Sequence, residues 1–104
     1  MENPEFTERQ INEALKAHTQ LDITVQWDGW EPERDQTADF EVYLDGETTD
    51  LVVWDHGTSF DIYARTSPRC YTSRGWAVGY DKLAANLTKI IEEAIVAEEK
   101  GENV

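Results

Sequence analysis

Cysteine, basic side chains and long apolar runs are all scarce in this chain of 104 residues. The single cysteine, Cys70, has no partner for an internal bridge, which excludes a disulfide-stapled secreted scaffold. No stretch approaches the roughly 18 apolar residues of a membrane helix, and no basic, apolar leader is present. Those absences predict a soluble, cytoplasmic protein without membrane contact. A Gly-rich phosphate loop and a CxxC pair are missing as well, so no cofactor is implied. Nine Lys and Arg stand against 22 Asp and Glu, a net charge of −13. A surface that acidic repels nucleic acid and anionic lipid and attracts basic proteins, so direct DNA or RNA binding is not expected.

The imbalance is local. From Asp22 to Asp61 there are twelve acids and one base, Arg34, whereas Ile62 to Lys89 holds five bases and one acid, Asp81. At this length the chain reads as one domain, residues 1–104, able to bury about 65% of its unfolded surface without metal or disulfide.

What is present is a dense pattern of strands. Ala38, Phe40, Val42 and Leu44 alternate with Asp39, Glu41, Tyr43 and Asp45, the two-residue period of a half-buried strand. A four-residue loop, Gly46 to Thr49, would set Leu44 opposite Leu51, Val42 opposite Val53 and Glu41 opposite Trp54. A two-residue His56–Gly57 turn would then set Val53 against Phe60 and Leu51 against Ile62. Both turns assign Leu51, Val53, Phe60 and Ile62 to one face and Val52, Trp54, Asp61 and Tyr63 to the other. Upstream, Leu21, Ile23, Val25 and Trp27 alternate with Asp22, Thr24, Gln26 and Asp28. With Trp27 opposite Phe40, Val25 meets Val42, Ile23 meets Leu44, and the outer face opposes Asp28 to Asp39 and Asp22 to Asp45. The intervening loop carries Trp30, Glu31, Glu33 and Asp35. Residues 66–79 show no clear period, though Trp76 to Gly79 could supply a short fifth strand.

Helices close both ends. Thr7 with Gln10 forms a candidate capping box flanked by Phe6 and Ile11, and Asn3-Pro4 offers an alternative start one turn earlier. Ile11, Ala14, Leu15 and His18 make its stripe. Leu83, Ala84, Leu87, Ile90, Ile91, Ala94 and Ile95 define a long second helix from about Asp81 to Lys100, with Gly101 as its stop. The expected fold is α+β: a two-layer antiparallel sheet of three to five strands with an N-terminal and a long C-terminal helix, in α-β-β-β-β-α order. Helix, three strands, helix resembles the order of double-stranded RNA-binding domains. That module needs a basic surface, so the likeness is one of topology alone.

Catalytic chemistry has little to work with. His18, His56 and Cys70 are the only imidazoles and thiol, and they read as a helix-end residue, a turn residue and a buried small hydrophobe. Asp45, Glu47 and Asp50 do not match a calcium loop, lacking its central Gly and final Glu. No enzyme and no metal site are expected.

The outer sheet face is the candidate site. It gathers Tyr43, Val52, Trp54 and Tyr63 with Asp39, Glu41, Asp45, Asp50 and Asp61, next to Asp22, Asp28, Trp30, Glu31, Glu33 and Asp35. Exposed aromatics rimmed by charge mark interaction sites. Carboxylates on alternate residues lie ~6.7 Å apart along a strand and ~4.8 Å apart across strands, comparable to the phosphate spacing of ~3.4 Å per strand in duplex DNA. The leading expectation is therefore a non-enzymatic inhibitor that mimics nucleic acid on a basic nucleic-acid-handling protein, in the manner of phage anti-restriction and anti-CRISPR proteins. The alternatives are an immunity protein or antitoxin for a cationic toxin, and a halophile-type acidic domain or homodimer without mimicry.

Overall fold

The computed structural model describes residues 3–30 and 37–101. Among them the order is α1 (Pro4–His18), β1 (Ile23–Trp30), β2 (Ala38–Leu44), β3 (Glu47–Asp55), β4 (Phe60–Ser67), β5 (Cys70–Ala77) and α2 (Tyr80–Gly101). The strands form one antiparallel sheet in the order β1-β2-β3-β4-β5. Both helices pack on the same face, so the fold is the two-layer α+β arrangement expected, with a full fifth strand in place of a short one.

Helix α1 starts at the earlier of its two candidate sites. Asn3 is the N-cap, its side chain accepting the Glu5 N–H at 2.9 Å, and Pro4 occupies the first turn, where its missing N–H costs nothing. Thr7 is therefore not the cap; it lies buried inside the first turns, its hydroxyl turned to the Asn3 carbonyl. Phe6 is exposed, so the staple to Ile11 does not form. Along α2, Leu83, Ala84, Leu87, Ile90 and Ile91 are buried, whereas Ala94 is exposed as the helix runs past the body of the sheet.

The apolar core between the layers joins Ile11, Leu15, Ile23, Val25, Phe40, Val42, Leu51, Val53, Phe60 and Ile62 to the α2 stripe. Pairing of β1 with β2 follows the expected register at Ile23–Leu44, Val25–Val42 and Trp27–Phe40. Beyond Trp27 a bulge places Trp30 opposite Ala38, so Asp28 and Asp39 are not opposed. The other two hairpins differ from expectation by an even number of residues: four at the β2–β3 turn and two beyond its bulge, and two throughout β3–β4.

The β2–β3 turn is Asp45–Gly46, not Gly46–Thr49: Leu44 pairs with Glu47, and both turn residues have positive φ (54° and 81°). Asp-Gly suits that mirror-image turn because Gly carries no Cβ and Asp tolerates the left-handed region. A bulge in β3 between Thr48 and Val52 takes up the extra residues, after which Glu41 faces Val52 rather than Trp54. The β3–β4 loop is four residues, His56 to Ser59, closed by the His56 N–H donating to the Ser59 carbonyl at 2.9 Å. Val53 consequently faces Ile62 and Leu51 faces Ala64. Side chains repeat every two residues along a strand, so an even displacement leaves the face assignments of the paired residues Leu51 to Trp54 and Phe60 to Tyr63 intact.

Candidate functional site

Opposite the helices, the sheet face has two halves. Over β3 and β4 it is a closed aromatic and ionic cluster. Val52 and Trp54 project there, and both are buried, at 0% and 7% exposure. The expectation of an uncovered Trp54 and Val52 is thus corrected, because neighbouring strands cover them. The Trp54 ring sits 4.4 Å from Tyr63 and 5.3 Å from Tyr71, and Tyr63 meets Tyr71 edge-on at 6.5 Å. Such tilted and edge contacts suit the ring quadrupoles.

Above Val52, Glu41 on β2 and Arg65 on β4 join across β3, with Arg65 Nη2 donating to Glu41 Oε1 at 2.9 Å. The Arg65 guanidinium also lies over the Tyr71 ring, 5.7 Å from its centroid. Hydrogen bonds to Glu41 and then to Tyr71 raise the Arg65 pKa above its ordinary value, so its charge is fixed. Asp61 meets a second base: His56 Nε2 lies 2.7 Å from Asp61 Oδ2, close contact without the alignment of a hydrogen bond. Two of the acids expected to form an anionic surface, Glu41 and Asp61, are therefore partnered, by Arg65 of β4 and by His56 of the β3–β4 loop.

Over β1 and the β2–β3 turn the face is open and acidic. Asp22, Asp28 and Asp45 are exposed, and the Asp45 N–H donates to the Asp22 carbonyl at 2.9 Å, bringing those two acids side by side as expected. Asp39 and Tyr43 are half-buried alongside them. Asp50 is displaced: the β3 bulge turns it to border a groove of about 600 Å³ under the end of α2, with Leu51, Ala64, Arg74, Ile91 and Ile95. Backbone pairing places Trp30 at the end of β1. Glu31, Glu33 and Asp35 lie outside the described residues.

Sequence reasoning missed the exposed aromatics of this face, Trp76 at 66% and Tyr71 at 36% exposure. Trp76 is opposite Asp61 and Tyr71 opposite Arg65, both on the open side. The β5 period is broken by a bulge at Arg74 between the Ile62–Gly75 and Tyr63–Ser73 pairs, which hides the alternation. Gly75, next to the bulge and at positive φ, is its one trace in the sequence, a glycine inside an otherwise strand-like run.

Cys70 is exposed at the β4–β5 turn, not buried, since it sits where the chain leaves the sheet. It and His56 occupy opposite ends of β4, which at about 3.3 Å per residue separates them by roughly 20 Å. His18 is exposed in the last turn of α1. Among the described residues no three His, Cys, Asp or Glu side chains gather as metal ligands, and no helix is long and apolar enough to cross a membrane. Comparison with family models, with curated proteins and with solved structures finds no match to this chain.

Proposed function

We propose that the protein is a non-enzymatic, cytoplasmic inhibitor whose acidic half-face stands in for nucleic acid on a basic groove of a DNA- or RNA-handling protein, as phage anti-restriction and anti-CRISPR proteins do. The observation that carries this reading is the placement of both helices on one side of the sheet, leaving Asp22, Asp28 and Asp45 exposed around the β1–β2 half. Asp39, Glu41 and Tyr43 flank them on β2. Carboxylates at strand spacing present a charge density like that of a phosphate backbone. Arg65 offsets the Glu41 charge and His56 contacts Asp61 on the β3–β4 half, and the exposed acids Asp22, Asp28 and Asp45 lie at the other end. Trp54 and Val52 have a different role in this reading from the one the sequence suggests: they set the shape of the face from beneath.

The experiment is competitive release. The protein is immobilised, exposed to a cell lysate and washed with excess duplex DNA or single-stranded RNA. Proteins that the nucleic acid releases, and that the Asp22/Asp28/Asp45→Lys variant does not retain, support mimicry. A single tightly held partner that nucleic acid cannot displace would identify an immunity protein instead. Retention of nothing, together with unfolding at low salt, would leave a halophile-type acidic domain.

A further inference from the structure

The two edges of the sheet are finished differently. At β1 the helix α1 supplies the missing strand partner through side chains. Asn12 Nδ2 donates to the Val25 carbonyl at 3.0 Å while Asn12 Oδ1 accepts the Val25 N–H at 2.7 Å, and Glu8 Oε2 accepts the Trp27 N–H at 2.7 Å. At β5 the only side-chain bonds to the strand backbone, among the described residues, are Asn86 to the Trp76 carbonyl and Thr66 to the Cys70 carbonyl. Tyr71 to Gly75 receive none. An uncapped strand edge is a template for a further strand. Cys70–Ala77 contains no Pro, Lys, Asp or Glu, and its one charged side chain, Arg74, sits at the bulge, so the regular stretch open to pairing is Tyr71 to Ser73.

The surroundings of that edge specify what it would take. On the helix side, Arg74, Asn86, Lys89, Ile90 and Glu93 line a polar cleft of about 360 Å³, with Arg69 exposed at the preceding turn. On the open side stand Trp76 and Tyr71. Successive side chains of an added strand fall on alternate faces. Those on the helix side would meet Arg74 and Lys89, and those on the open side the two rings.

We propose that β5 accepts an extended segment of a partner protein as a sixth strand, and that this segment alternates acidic with apolar residues. This is a second surface, independent of the acidic half-face at the other end of the sheet. A second copy of the chain is a poor occupant, because pairing β5 with itself brings the Arg69 and Arg74 cations of two chains together. Beyond about 8 Å at physiological salt the net charge of the chain is screened, so the local cations govern the contact.

The test uses the full chain and two synthetic octapeptides, one alternating Glu with Val and one alternating Lys with Val. The Glu–Val peptide slows amide hydrogen exchange in β5, and its affinity by calorimetry falls at least tenfold in Arg74→Glu/Lys89→Glu and several-fold in Trp76→Ala. All three side chains are exposed, so thermal unfolding confirms that the variants fold. The Asp22/Asp28/Asp45→Lys variant binds the peptide as the parent does, which separates this surface from the acidic one. Absence of β5 protection, equal or tighter binding of the Lys–Val peptide, or β5 protection that rises with protein concentration alone would each overturn the proposal.

Discussion

The helix-covered face of the sheet and its open face both bury side chains, and they do so by different means. Against the helices, Phe40, Val42, Val53 and Ile62 are sealed by other apolar side chains. On the open face Val52 is equally inaccessible, but its neighbours there are the Glu41–Arg65 ion pair and Tyr63, while Trp54 packs against Tyr63 and Tyr71. Strand β3 is thus buried on both sides, with Leu51 to Trp54 an unbroken run. A continuous apolar run of that kind normally marks a strand covered by helices on both faces. Here the second cover is the sheet's own long side chains, Tyr63, Arg65 and Tyr71, folded back over it.

Substitutions can break or sharpen that contrast. The largest effect falls on the helix-covered side: Phe40→Ala empties a site with no exposure and lowers unfolding free energy by about 3–5 kcal/mol in denaturant titration. Next comes Trp54→Ala, expected to cost about 3 kcal/mol because the ring is buried against Tyr63. That reverses the outcome which an exposed Trp54 would give, an unchanged thermal midpoint; such a midpoint would show that the open-face cluster contributes no packing. Asn12→Ala should cost about 1–2 kcal/mol, since both Val25 backbone groups lose their bonds. A change within error would mean that water caps β1 as well as α1 does.

Smaller effects belong to the lid and the bare edge. Arg65→Met keeps most of the side-chain volume and removes the charge. With the guanidinium about one-third exposed, solvent screening limits the loss to about 0.5 kcal/mol. Because the Arg65 pKa is raised on folding, its contribution is complete below the unfolded value and declines only as pH climbs through the strongly alkaline range. Between pH 6 and pH 9 the stability difference between parent and Arg65→Met is therefore flat, as parallel denaturant titrations would verify. Trp76→Ala, at an exposed position, should shift stability by no more than about 0.5 kcal/mol while weakening the octapeptide.

Legibility differed along the chain for physical reasons. β1 and β2 were readable because nothing interrupts their alternation from Ile23 to Trp27 and from Ala38 to Leu44, and their shared register followed. At Asp45–Gly46 the local preference for a mirror-image turn outweighed the simpler four-residue loop. The displaced register was harmless to the faces of the paired residues because the error was even, and only Asp50, in the β3 bulge, changed its place. β5 was opaque because one bulged residue, Arg74, shifts the period midway and a single neighbouring glycine, Gly75, does not fix where the shift falls. The candidate site was half legible. The acids of β1 and the β2–β3 turn stand exposed as their alternation implied, yet Glu41 and Asp61 carry partners, Arg65 and His56, from distant positions in the chain.

The sequence by itself determined the element order, the side of the sheet to which the regularly alternating residues of β1 to β4 turn and the uneven distribution of charge, since these depend on period and composition within short windows. Only the tertiary structure decided what covers the open face, which acids keep their charge unopposed and which sheet edge is capped. Those outcomes depend on side chains brought together from separate strands and helices, and a long Arg or Tyr can cover a neighbour two strands away.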